Sequence, residues 1–79
     1  MSVENELQQF IEKEVAPESG VAVDEPLISS GKVDSLGLLQ ILGFIEQRYG
    51  VTLLTTASPQ DFENINALAA AVRRATTAG

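Results

Sequence analysis

Apolar residues recur every three or four positions along most of the chain, and nowhere do they alternate one in two as a half-buried strand requires. Val3, Leu7, Phe10, Ile11 and Val15 share one stripe and predict a first helix over about residues 3–15, with Ser2 as its N-cap. Pro17 cannot continue that helix, and Pro17-Glu18-Ser19-Gly20 reads as a break. The stretch over residues 17–33 is then too long to lie structureless inside a compact domain. Val21, Val23, Leu27, Ile28 and Val33 supply apolar pegs, so this connection is expected to lie ordered across the bundle.

A second helix is predicted over Ser35–Tyr49, capped by Asp34 and closed by Gly50 in the left-handed C′ position, with Val51 packing back on Ile45. At 100° per residue, Leu38, Ile41, Leu42, Ile45 and Tyr49 form its inner face. Leu36, Leu39, Gln40, Gly43 and Gln47 fall broadly opposite, and two leucines on that side are unexpected if it meets only water. Ser58-Pro59 opens a short third helix, with Asp61 near its N-terminal dipole and Phe62 anchored in the core. Asn64 caps a fourth, whose inner stripe is Ile65, Leu68, Ala69 and Val72 and whose C-terminal end carries Arg73 and Arg74. The expectation is an all-α, small four-helix bundle with three long helices, one short helix and a long ordered connection between the first two. It forms a single domain over residues 1–79, with a frayed tail at about 76–79.

Composition narrows the chemistry. With no histidine and no cysteine, the chain has neither an imidazole base for a Ser-His-Asp triad nor thiolate or imidazole metal ligands, so no catalytic or metal site is expected. A net charge of −6 argues against nucleic acid, and no run approaches the roughly 20 apolar residues of a membrane span. A cytoplasmic, monomeric protein is expected. The charge is uneven. Glu4, Glu6, Glu12, Glu14, Glu18, Asp24, Glu25 and Asp34 outweigh Lys13 and Lys32 in the first part, whereas from Ser35 onward acids and arginines balance. The second helix carries only Glu46 and Arg48 as charges.

Asp34-Ser35-Leu36 is the decisive feature. It places one hydroxyl at a helix N-terminus, where unpaired N–H groups and the macrodipole favour an added phosphate. A serine without a base cannot attack, but it can be modified. The run Leu27-Ile28-Ser29-Ser30-Gly31-Lys32-Val33-Asp34-Ser35-Leu36 resembles the attachment site of the acyl and peptidyl carrier proteins, an apolar pair and a glycine ahead of Asp-Ser-Leu. Residues 39–50, ending in Glu46-Gln47-Arg48-Tyr49-Gly50, are similar to that family's second helix. Phe62-Glu63-Asn64-Ile65 with Leu68 and Val72 is similar to the entry to its last helix. The likeness spans about residues 10–72.

The resemblance implies the acyl-carrier type of bundle. It implies that Ser35 receives 4′-phosphopantetheine from coenzyme A through a phosphopantetheinyl transferase, with Asp34 supporting the modification by helping to position the transferase's Mg²⁺. The chain would be a non-catalytic carrier, holding an acyl or aminoacyl group as a thioester. Its partners would be an adenylate-forming ligase or acyltransferase and a downstream synthase or condensing enzyme. Leu36, Leu39, Gly43 and Gln47 are expected to contact partners, and Leu38, Ile41 and Leu42 to line a shelter for the cargo.

Fatty-acid-synthase carriers usually hold several acids on the second helix. Here Gly37, Gln40, Gly43 and Gln47 stand where acids or a large apolar residue are common in that branch. Asp34-Ser35-Leu36-Gly37 with Gln40 looks more like free-standing carriers loaded by adenylate-forming ligases, the D-alanyl carrier protein among them. Similar chains serve polyketide and nonribosomal peptide biosynthesis. The alternatives are a fatty-acid-synthase carrier and an unmodified helical adaptor that binds a partner peptide.

Overall fold

Ser2 accepts the backbone N–H of Asn5 through its hydroxyl at 3.0 Å and so starts helix α1, Val3–Phe10. The computed structural model describes residues 2–17, 20–53 and 58–78. Glu18 and Ser19 of the expected break lie outside the described residues. The first helix does not remain α-helical to its end. Over Ile11–Val15 it widens into a π-helical turn, with the Ala16 N–H reaching back five residues to the Ile11 carbonyl at 2.7 Å. Leu7 and Ile11 are fully buried, while Val3, Phe10 and Val15 pack against the core partly exposed.

Helix α2 spans Ser35–Tyr49 between the two punctuation marks the sequence supplies. Asp34 is its extended N-cap, and Gly50 is its left-handed C-cap at φ 71°, donating its N–H to the Glu46 carbonyl at 2.9 Å. Val51 is buried in the same cluster as Ile45. The short third helix is a 3-10 turn, Pro59–Phe62. Its carboxylate Asp61 accepts from the Ser58 N–H at 3.0 Å, so Asp61 holds the chain entering the turn as well as facing its dipole. Asn64 accepts the Ala67 N–H at 2.7 Å and opens helix α3, Ile65–Ala78. Helical backbone continues through Ala78. Arg73 and Arg74 consequently lie about a turn before the end and pair with Glu4 and Asp61.

All three helices and the connection contribute to one core. Leu7, Ile11, Leu27, Val33, Ile41, Ile45, Ile65, Leu68 and Val72 are its largest fully buried side chains, and no polar side chain is buried among the described residues. The connection is ordered as expected. Leu27 donates its N–H to the Glu63 carbonyl at 2.8 Å, and Val23 accepts from the Asn66 N–H at 2.9 Å. Both bonds fasten the connection to the entry of α3. Ile28 corrects the expectation of a buried peg: it is 46% exposed. Leu27 takes the inward place in the turn over residues 27–31, and its neighbour is thereby turned outward. Among the described residues no helix is long and apolar enough to cross a membrane.

Candidate functional site

The segment ahead of α2 is built to hold Asp34 and Ser35 at the surface. Leu27, fully buried, accepts the Val33 N–H at 3.1 Å and the Ser30 hydroxyl at 3.2 Å, closing a loop over residues 27–33. Gly31 turns that loop at φ 83°, a conformation that side-chain-bearing residues rarely adopt. Lys32 ties it to the earlier part of the connection, pairing with Glu25 at 2.7 Å and donating to the Gly20 carbonyl. Val33 is then buried while Asp34 and Ser35 emerge exposed.

Asp34 accepts the Gly37 N–H through Oδ1 at 2.8 Å, and its carbonyl accepts the Leu38 N–H at 2.9 Å. Its Oδ2 makes no bond among the described residues. Ser35 is the first residue of α2, and its hydroxyl is likewise unbonded among them. The result is an exposed hydroxyl on the positive end of a long helix, in a cap that leaves the N–H groups of Ser35 and Leu36 without intrahelical partners. That arrangement suits a phosphodiester on the serine. Residues 5–72 match the family model for the phosphopantetheine attachment site. The chain belongs to the phosphopantetheine-binding carrier family. No match was found among curated proteins.

Members of this family are non-catalytic carriers whose prosthetic group is 4′-phosphopantetheine, and they work with a phosphopantetheinyl transferase and with loading and processing enzymes. In this carrier, Leu36 and Leu39 stand 72% and 54% exposed beside Ser35. Gln40, Gly43 and Gln47 are exposed on the same side. A methyl group on Gly43 would meet nothing within 4 Å, so packing does not require a glycine there. Gly37 differs from the other three positions grouped with it. It is buried rather than outward-facing.

The residues expected to shelter cargo are not gathered in one place. Leu38, three residues after Ser35, lines a cleft of about 430 Å³ with Ile28, Ser29, Pro59, Gln60, Phe62 and Glu63. Leu42 lines a separate recess of about 210 Å³ with Leu39, Gly43, Glu46 and Leu53. Ile41 is fully buried in the packed core and faces neither. The helical phase alone does not reveal Ile28 and Phe62 as lining this cleft; their signal in the sequence is the apolar pair ahead of Gly31 together with Phe62 at the entry to the last helix. Phe44 lies outside the expected inner face of α2 as well. It stacks on Phe10 with ring centroids 4.3 Å apart, joining α2 to α1.

Proposed function

We propose that Ser35 carries the 4′-phosphopantetheine group and that its terminal thiol holds an acyl or aminoacyl unit as a thioester for delivery to partner enzymes. In the attachment step the Ser35 Oγ–P bond forms and a P–O bond in the pyrophosphate of coenzyme A breaks. The adenosine 3′,5′-bisphosphate departs with that electron pair, and the hydroxyl proton passes to a base of the transferase. The observation that carries the reading is the exposed Ser35 hydroxyl, unbonded among the described residues, behind the Asp34 cap and inside a family match covering residues 5–72. Asp34 keeps Oδ1 on the helix and leaves Oδ2 for the transferase's metal.

The reading extends to the pathway. The α2 surface offers the apolar pair Leu36 and Leu39 and few charges, which supports recognition by fit rather than by a field that steers basic enzymes. Loading by an adenylate-forming ligase, in polyketide, nonribosomal peptide or related specialised biosynthesis, suits that surface. The cleft over Leu38, Ile28 and Phe62 is an apolar resting place within a helical turn of the serine. The test pairs holo protein with adenylate-forming carrier ligases and with fatty-acid-synthase malonyl transferase. Ligase loading with poor malonyl transfer is expected; efficient malonyl transfer with no ligase loading returns the chain to the fatty-acid branch.

A further inference from the structure

Gly37 lies two residues beyond Ser35 and is buried, although Leu36 beside it is the most exposed large apolar residue of the described chain. A methyl group at Gly37 would stand 2.8 Å from Val15 Cγ1 and 3.2 Å from Val33 Cγ1. The first separation is one that real side chains essentially never show, and the second is tight. Val33 is the more firmly held of the two neighbours, since Val15 is partly exposed. Valine is stiff at χ1 because two carbons branch from its Cβ. Val15 is the last residue of the π-helical turn. Val33 is 1% exposed, and its N–H is bonded to Leu27 at 3.1 Å.

The close approach therefore links three parts of the site. The widened end of α1 brings Val15 against the backbone of α2 at Gly37, Gly37 donates to the Asp34 carboxylate, and Val33 leads directly into Asp34-Ser35. Unless Val15 gives way, a side chain at position 37 displaces Val33, and with it Asp34, or lifts the first turn of α2 off Val15. Either of these last two movements shifts the hydroxyl of Ser35 relative to its cap. We infer that Gly37, seated on Val15 and Val33, is a positioning residue that sets how Ser35 is presented for phosphopantetheinyl transfer. This rests on the reading that Ser35 is the attachment residue.

The experiment follows transfer from coenzyme A by intact mass over time, with a broad-specificity phosphopantetheinyl transferase. Wild type, Gly37→Ala, Val15→Ala and the double variant are compared at a temperature where circular dichroism shows the proteins folded. Gly37→Ala is expected to lower kcat by about tenfold or more, as small misplacements of a reacting atom do. KM should stay close to wild type, because Leu36 and Leu39 remain in place to dock. Removing Val15 Cγ1 makes room for the methyl group, so the double variant should recover to within about threefold of Val15→Ala, the signature of direct coupling between the two positions. If Gly37→Ala does not fold, a folded double variant with near-normal kcat supports the seat. A folded Gly37→Ala modified at the wild-type rate overturns the inference, as does a folded double variant as slow as Gly37→Ala alone or slow beside Val15→Ala. Failure of the underlying reading looks different: wild type would take no mass increment, or Ser35→Ala would still take one.

Discussion

The carboxylate of Asp34 closes the first turn of α2 on the backbone N–H of Gly37, 2.8 Å from its Oδ1. Losing that acceptor leaves an orphan donor in the first turn, so Asp34→Ala should lower stability by about 1 kcal/mol. The measurement is the urea midpoint at unchanged m-value. Asp34→Asn keeps a capping oxygen but removes the charge. It should retain near-wild-type stability while slowing prosthetic-group transfer. An Asn variant modified as fast as wild type would confine Asp34 to capping.

Leu39 and Leu42 lie three residues apart on α2 with opposite fates, 54% and 8% exposed. Leu39→Ala should shift stability by less than about 1 kcal/mol, as surface changes do. It should nonetheless slow loading or transfer by a partner enzyme. Leu42→Ala should cost about 2–5 kcal/mol, as a core truncation does. Equal destabilisation by the two would contradict the division of α2 into a docking face and a core face.

Ionic ties predict the pH dependence. Hydrogen bonding to Arg48 and then to Tyr49 holds the Glu6 carboxyl below its ordinary range, and Arg73, Lys32 and Arg74 do the same for Glu4, Glu25 and Asp61. These carboxylates favour the fold above the unfolded values near 4, about where free Asp and Glu titrate, and that contribution is lost as pH falls through their lower folded values. Tyr49 moves the other way. Burial first, then its bond to Glu6, pushes it up to about 12. Its contribution is complete below about 10, the free tyrosine value, and is lost as pH rises toward the folded value. Stability measured across the alkaline range should fall less steeply in Tyr49→Phe than in wild type. An identical alkaline decline in the two would show that Tyr49 is not its source.

The sparse charge on α2 predicts weak salt dependence for partners that read this face. Glu46 and Arg48 are its charges, and Arg48 is engaged with Glu6 at 3.0 Å. Ligase kinetics should change little between low salt and physiological ionic strength, where the Debye length is about 8 Å. A steep loss of kcat/KM with salt would point to docking through the acids of α1 and the connection instead.

Much of the fold is legible because its boundaries are chemical. Asp34 and Gly50 bracket α2 by their capping preferences, and Asn64 does the same for the start of α3. Heptad-like spacing gives Leu7, Ile11, Ile41, Ile45, Leu68 and Val72 as core without reference to their partners. The π-helical turn is not legible, because inserting one residue into a helix leaves the apolar stripe of Phe10, Ile11 and Val15 compatible with either winding. Gly37 is invisible to any pattern of hydrophobicity, since its burial comes from the approach of Val15 and Val33 rather than from a side chain of its own. Ile28 shows the converse. Being apolar in a loop does not say which of two adjacent residues turns inward, and that is settled by the bonds Leu27 makes to Glu63 and Val33. At the site, Ser35 and Asp34 are readable from motif and cap, whereas the cleft beside them depends on Phe62 arriving from a distant part of the chain.

Ser35 as the residue that takes the prosthetic group is tested by a single mass measurement. Wild type and Ser35→Ala are incubated with a phosphopantetheinyl transferase, coenzyme A and Mg²⁺, and their intact masses are recorded with far-ultraviolet circular dichroism as the check on folding. Alanine is a good helix former, so the variant should keep its helical signal. Wild type should gain one phosphopantetheine increment and Ser35→Ala none. An increment on the folded Ser35→Ala protein, or its absence from wild type, would overturn the assignment of Ser35.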